Sequence, residues 1–153
     1  MSSRGLPGQG PSFVPAYQVS GTPFVTSSLA GAPLQEGGTA VDADKHRVIK
    51  FPRVTRWVQV RNIGSSSLRV GFTKNGVSGS EGGQPTDNYY LLNPSINAAG
   101  HSTSQTVRWE VRCKELHVRL HGLGGTHFSV MAGLTGIEEF PTLTGSNGFQ
   151  GVG

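Results

Sequence analysis

A strict alternation of apolar and polar side chains late in the chain limits the fold more than any other feature of the sequence. Residues 107–113 place apolar side chains on one parity and charged side chains on the other. After a bend at Lys114, the side chains of Leu116, Val118 and Leu120 again share one parity. A period of two residues is typical of β-strands that bury one face in a core and leave the other in water.

The rest of the chain supports strands and disfavours helices. Glycine (23 residues) and proline (9 residues) together make about a fifth of the 153 residues, and both interrupt helices. Asn75-Gly76 is a strong turn signal between strand candidates. We therefore expect about seven short strands and no helix, in an all-β antiparallel β-sandwich with Greek-key or jelly-roll connections. The other strand candidates are 47–51, 54–61, 68–73, 88–92 and 128–132.

Glycine and proline also divide the chain into three parts. We predict an extended Gly/Pro-rich N-terminal arm over residues 1–40, a sandwich over residues 41–140 and a Gly-rich C-terminal tail over residues 141–153. The arm carries apolar residues that a disordered tail usually lacks, which indicates a segment that docks on a surface. Within the arm, Phe13, Tyr17 and Phe24 are the predicted anchors.

Charge is unevenly distributed along the chain. The net charge is +4, but residues 45–119 carry 12 basic and 4 acidic residues, a net of +8, and the flanks carry 1 basic and 5 acidic residues. A basic body can attract nucleic acid, anionic lipid or acidic protein. No apolar run approaches the roughly 18 residues needed to cross a bilayer, so we predict no transmembrane segment.

Sequence signals of catalysis and metal binding are weak, and we predict no enzyme, no cofactor and no metal site. Nucleophile-elbow, phosphate-loop and zinc-binding motifs do not occur. His117 and His121 lie four residues apart on one strand, about 13 Å, which is too far for one metal ion. The single cysteine, Cys113, falls on the apolar parity and is expected to be buried.

Arginine dominates the polar parity of the strands, and arginine suits ion pairs and interfaces better than lysine does. An aromatic side chain among arginines is typical of a protein–protein hot spot, and also of a platform for single-stranded nucleic acid. We favour the protein interface. Its predicted residues are Arg56, Trp57, Arg61, Arg69, Arg108, Arg112 and Arg119.

Four phrases of the sequence resemble those of a viral protein family. The phrases are VTRWVQVRNIGSSSLRVGFTKNGV (54–77), NYYLL (88–92), EVRCKELHVRL (110–120) and FSVMAGLTGI (128–137). In order and spacing they resemble the small single jelly-roll penton or minor capsid proteins of large icosahedral double-stranded DNA viruses. The resemblance covers about 85 residues of the body and does not cover the arm.

This resemblance implies a single jelly roll, a homopentamer at icosahedral five-fold vertices and contacts with neighbouring major and minor capsid proteins. It further implies synthesis in the host cytoplasm and a place in the virion capsid, with no catalytic residues. Two alternatives stay open. Tyr89, Tyr90, Trp57 and Trp109 could stack on the sugar rings of a carbohydrate, and the basic sheet could bind nucleic acid, which we favour less.

Overall fold

The computed structural model describes residues 21–28, 34–35, 45–79, 87–95, 99–100 and 105–153. In these residues the chain forms two four-stranded antiparallel sheets and one two-stranded pair. Apolar side chains from the two larger sheets meet in one buried cluster, so the architecture is an all-β sandwich. This agrees with the fold class that the alternation predicts.

The first sheet has the strand order β1-β10-β4-β7. Its strands are β1 (Thr22–Ser27), β4 (Thr55–Asn62), β7 (Thr106–Trp109) and β10 (Phe128–Leu134). The last strand of the chain, β10, lies between β1 and β4 and pairs with both. A β-bulge interrupts its pairing with β4, because Gly133 lies opposite Trp57 and Leu134 lies opposite Thr55.

The second sheet has the strand order β3-β8-β5-β6. Its strands are β3 (His46–Lys50), β5 (Leu68–Gly71), β6 (Tyr90–Leu92) and β8 (Glu115–Leu120). The short strands β2 (Leu34–Gln35) and β9 (Gly125–Thr126) pair separately. The predicted bend at Lys114 is confirmed: the chain leaves the first sheet after β7 and enters the second sheet at β8.

The core between the sheets follows the predicted parities. Val58 and Val60 of β4 face Leu116 and Val118 of β8 across the interior, and all four are fully buried. At about 25 cal/mol for each Å² of apolar surface, burying a branched aliphatic side chain contributes about 1.5–3 kcal/mol, so such residues hold the two sheets together.

One polar side chain, Asn62, is also fully buried at the end of β4. Its amide nitrogen lies within hydrogen-bonding distance of three carbonyl oxygens, and its amide oxygen accepts two hydrogen bonds. A buried amide is tolerated only when its donors and acceptors are satisfied. The partners are the carbonyls of Ser66 (2.8 Å), Leu92 (3.2 Å) and Asn93 (2.9 Å), the Gly64 backbone N–H (3.1 Å) and the Thr126 hydroxyl (2.6 Å).

The sandwich also includes residues 22–27, which the sequence analysis assigns to the arm. They form β1, whose entire length pairs with β10. Pro23 is tolerated there because β1 is at the edge of the described sheet, where a strand can do without one backbone N–H donor. Within the predicted arm, residues 1–20, 29–33 and 36–40 lie outside the described residues, and so do the predicted anchors Phe13 and Tyr17.

The expectation that the chain has no helix is wrong. Residues Lys74–Ser78 form a short helix, α1, and Asn75-Gly76 lies inside it instead of forming a hairpin turn. The Thr73 hydroxyl accepts a hydrogen bond from the Gly76 backbone N–H and so caps the first turn. The same hydroxyl donates to the Val152 carbonyl, which places the C-terminal tail against the start of α1.

Candidate functional site

The outer face of the first sheet brings several predicted interface residues together. Beyond the β-bulge, the side chains of Trp57, Gln59 and Arg61 on β4 point away from the core, and cross-strand pairing arranges them in rows with residues of the neighbouring strands. We use the name outer face for the following residues: Val25 on β1, Met131 on β10, Trp57, Gln59 and Arg61 on β4, and Arg108 on β7.

An apolar pair occupies the β1 end of the outer face. Val25 and Met131 lie directly opposite each other in the β1–β10 pairing, with exposed fractions of 64% and 41%. The same row continues through Gln59 to Arg108. Adjacent exposed apolar side chains form a small apolar patch, and apolar patches occur at surfaces that mediate interactions.

Trp57 lies beside this pair and is held in a fixed orientation. Its indole extends over Gly133, where the Cβ atom of any other residue would overlap the ring. The Arg108 guanidinium lies 4.2 Å from the ring centroid, a cation–π contact. Arg108 also forms an ion pair of 3.0 Å with Glu110. The predicted outward orientation of Trp57 agrees with this placement, although its ring is half-buried by its neighbours.

The structure does not place every predicted arginine on that surface. Arg69 and Arg119 are each only 4% exposed, which contradicts their assignment to a solvated parity. Both lie on the side of the second sheet that faces away from the core, but other parts of the chain cover that side. Arg69 donates to His121 Nδ1 (2.9 Å) and to the carbonyls of Val77 and Ser78 (3.2 and 3.1 Å). Its guanidinium therefore makes hydrogen bonds within this chain.

Three other predicted arginines are in varied settings. Arg61 is exposed at the end of β4 on the outer face. Arg56 is half-buried and is the extra residue at the β-bulge between β4 and β10. Arg112 is exposed in the crossover between β7 and β8, away from the regular pairing.

Phe24, the predicted arm anchor that the structure describes, packs within its own chain. Its ring contacts the ring of Phe51 edge-on, with centroids 5.1 Å apart, and it lies against the core. Its apolar surface therefore already has a partner inside the sandwich.

A histidine pair that the sequence analysis did not find lies on the second sheet. His46 Nε2 and His117 Nδ1 are 3.0 Å apart and share one hydrogen bond. Burial lowers the pKa of His117 below its ordinary value, nearby Glu115 opposes this shift, and Lys50 adds to it. The two histidines are 71 residues apart in the chain, so only the β3–β8 register reveals the pair.

Cys113 is buried, as its parity predicts. Its backbone N–H donates to the Thr55 hydroxyl (3.0 Å), and the same hydroxyl lies 3.4 Å from the Cys113 sulfur. Burial raises the pKa of the Cys113 thiol to about 11, against a smaller lowering effect of the Thr55 hydroxyl. The sulfur is thus a protonated, enclosed group, with none of the features of a reactive thiolate.

The aromatic residues predicted to stack on sugars are divided between two places. Trp57 is on the outer face of the first sheet, whereas Tyr89, Tyr90 and Trp109 line one cavity at the edge of the sandwich. Within the described ranges, no group of three or more His, Cys, Asp and Glu side chains is arranged to hold a metal ion. No helix in that part of the chain has the length and apolar character to cross a membrane.

Comparisons with protein-family models, with curated proteins and with solved structures find no match to this chain. Inference about its function therefore begins from its own residues.

Proposed function

We propose that this chain is a structural capsid protein with a single jelly-roll fold, the penton protein that forms homopentamers at the five-fold vertices of a large icosahedral double-stranded DNA virus. The observation that carries the proposal is the strand order. Without the two-residue strands β2 and β9, eight strands remain, and numbered one to eight they have the orders 1-8-3-6 and 2-7-4-5. That arrangement is the one expected of a jelly roll.

The chain connections support the same reading. Six of the seven steps between consecutive long strands pass from one sheet to the other, and only β5 and β6 are neighbours in one sheet. Each phrase that resembles capsid proteins contains at least one strand: residues 54–77 contain β4 and β5, residues 88–92 contain β6, residues 110–120 contain β8 and residues 128–137 contain β10. Most of the strands that define the topology thus lie within the phrases that carry the resemblance, and both support the proposal.

The outer face of the first sheet supports a role in assembly. Tryptophan, methionine and arginine are enriched at protein interfaces, and all three occur there next to an exposed valine. In a closed five-fold ring, each contact is heterologous, so one patch of a subunit meets a different patch of the next. We assign the outer face to one side of that contact.

Light scattering of the purified full-length chain tests the proposal. Five copies of the 16.1 kDa chain give a ring of about 80 kDa. We expect that mass for the wild-type protein across a concentration series, and a monomer for Met131→Glu, because a carboxylate would be buried without a partner in the contact. Leu123→Glu is the matched control, since Leu123 is 79% exposed at a turn away from the outer face.

Two results would count against the proposal. A wild-type monomer at every concentration would show that the isolated chain does not assemble, and a pentamer in Met131→Glu would show that the outer face is not part of the contact.

The arm has its own test, which is deletion of residues 1–20 only, because residues 22–27 are β1 and belong to the sandwich. We expect the shortened chain to fold and to assemble poorly.

A further inference from the structure

The edge of the sandwich holds an aromatic cleft that the assembly proposal does not use. The edge strands β6 and β7 belong to different sheets, and Tyr90 and Trp109 meet between them with ring centroids 5.5 Å apart and planes at 82°. Tyr90 lies opposite Val70 and Trp109 opposite Val58, so both rings share the parity of core residues. Tyr90 is nevertheless 51% exposed, because the described residues do not cover this edge of the sandwich.

A second tyrosine is fixed beside this pair. The Arg69 guanidinium lies 4.6 Å from the centroid of the Tyr89 ring, and that guanidinium is itself held by His121 and by backbone carbonyls of α1. A side chain held this way loses little conformational freedom when a ligand binds. Arg69 and the Tyr89 ring lie on the side of the second sheet opposite to Tyr90, so this contact fixes the start of β6 next to the cleft instead of forming one of its walls.

The cleft has the size and polarity of a small-ligand site. Its volume is about 360 Å³, within the range of ligand pockets. Besides Tyr89, Tyr90 and Trp109, the lining includes the polar residues Asp87 and Asn88, together with Val70, Phe72, Val111, Gly71 and Gly151. Aromatic walls with a few carboxylate and amide groups are typical of a site that binds one apolar face and several hydroxyl groups.

The charges of the residues that line the cleft indicate which class of ligand it can bind. The lining of the aromatic cleft contains one carboxylate, Asp87, and neither lysine nor arginine. Two other cavities of the described residues are more basic: one is lined by Lys50, Lys74 and Lys114 with Glu115, and the other by Arg47 and Lys50. In a protein with net charge +4, the aromatic cleft is therefore the least suited of these three cavities to phosphates or acidic peptides.

We propose that the cleft between β6 and β7 binds a neutral hexopyranose unit of a glycan. The apolar C–H face of the pyranose ring would pack on Tyr90 and Trp109, and its hydroxyl groups would donate to and accept from Asp87 and Asn88. This inference does not rest on the capsid proposal, because it concerns a different surface and a different kind of partner.

Tryptophan fluorescence tests the inference directly. The chain has two tryptophans, so in Trp57→Phe all tryptophan emission comes from Trp109 in the cleft. The full-length variant is titrated with methyl glycosides of glucose, galactose and mannose and with N-acetylglucosamine. We expect saturable changes with at least one of them, with a Kd of about 1 mM, as the efficiency of small ligands implies for about twelve atoms.

Matched variants assign the signal to the cleft. In the same background, Tyr90→Ala should weaken binding about tenfold by removing one ring contact, whereas Tyr90→Phe should keep it. Leu123→Ala, which truncates another exposed apolar side chain, should leave the Kd unchanged. Thermal unfolding of each variant verifies that the fold is intact, and saturation-transfer NMR with wild-type protein supplies a readout that needs no substitution.

Three outcomes would overturn the inference. The first is that no neutral saccharide changes the Trp109 emission or gives saturation transfer up to its solubility limit. The second is an unchanged Kd in a folded Tyr90→Ala variant. The third is that adenosine monophosphate or N-acetylneuraminic acid binds more tightly than every neutral sugar, which would make the cleft an anion site. The mass in solution does not enter any of these outcomes.

Discussion

Replacing the buried Asn62 with alanine should strongly lower the free energy of unfolding. The amide supplies two N–H hydrogens to three carbonyls and accepts two hydrogen bonds. Four hydrogen bonds at about 1 kcal/mol each give a loss of about 4 kcal/mol in the free energy of unfolding. Small domains have only about 5–15 kcal/mol in total, so the effect would be large.

Equilibrium unfolding in urea at neutral pH measures this loss. Asn62→Asp is the sharper variant, because it keeps the shape and replaces the donating NH₂ with an oxygen that faces three carbonyls, so we expect it to cost at least as much as alanine. Asn75→Ala, at an exposed position of α1, should change stability by about 0.5 kcal/mol or less. A cost below about 1 kcal/mol for Asn62→Ala would refute the reasoning, because it would mean that the buried carbonyls need no donor.

Three further predictions concern the described residues. Gly133→Ala should displace the Trp57 indole, alter the near-UV circular dichroism and cost about 1–3 kcal/mol, whereas Gly145→Ala, whose Cβ would meet nothing, should be neutral. Cys113 should resist a thiol reagent in the folded protein and react after unfolding; fast labelling of native protein would contradict its burial. Because the folded-state pKa of His117 is lowered, the unfolded state takes up a proton first, so stability should fall as the pH falls below about 6.5. His117→Gln should flatten that dependence in unfolding curves measured at several pH values, and an unchanged slope would contradict it.

Period-two patterning predicted the parts of the fold that depend on a single strand. Leu116, Val118 and Leu120 point into the core as their alternation requires, and Cys113 is buried on the apolar parity. Trp57 is on the outer face for the same reason. The outcomes for β8 and for Trp57 follow from the geometry of one strand, whereas β7 ends at Trp109 and Cys113 is buried in the crossover that follows it.

Outcomes that depend on what covers a strand could not be predicted from its parity. Arg69 and Arg119 have the parity of a solvated face, yet each is nearly inaccessible, because parity gives the face of a sheet and not what packs over it. The His46–His117 pair requires the β3–β8 register, which no local pattern contains. The sequence analysis assigns residues 22–27 to the arm because of the surrounding glycine and proline residues, although β-prone residues lie among them. The structure shows them as β1, an edge strand of the described sheet, and edge strands tolerate proline.

The position of β10 has a consequence for biosynthesis. Residues 128–134 are the last of the described strands to leave the ribosome, yet they lie between β1 and β4, and Thr22 pairs with Leu134 more than a hundred residues later. Until that strand has emerged, β1 has no neighbour in the described sheet, and one edge of β4 is open to other nascent chains. The first sheet therefore closes only when synthesis of the sandwich is almost complete, and products of premature termination before residue 128 are expected to aggregate instead of forming partial, competent subunits.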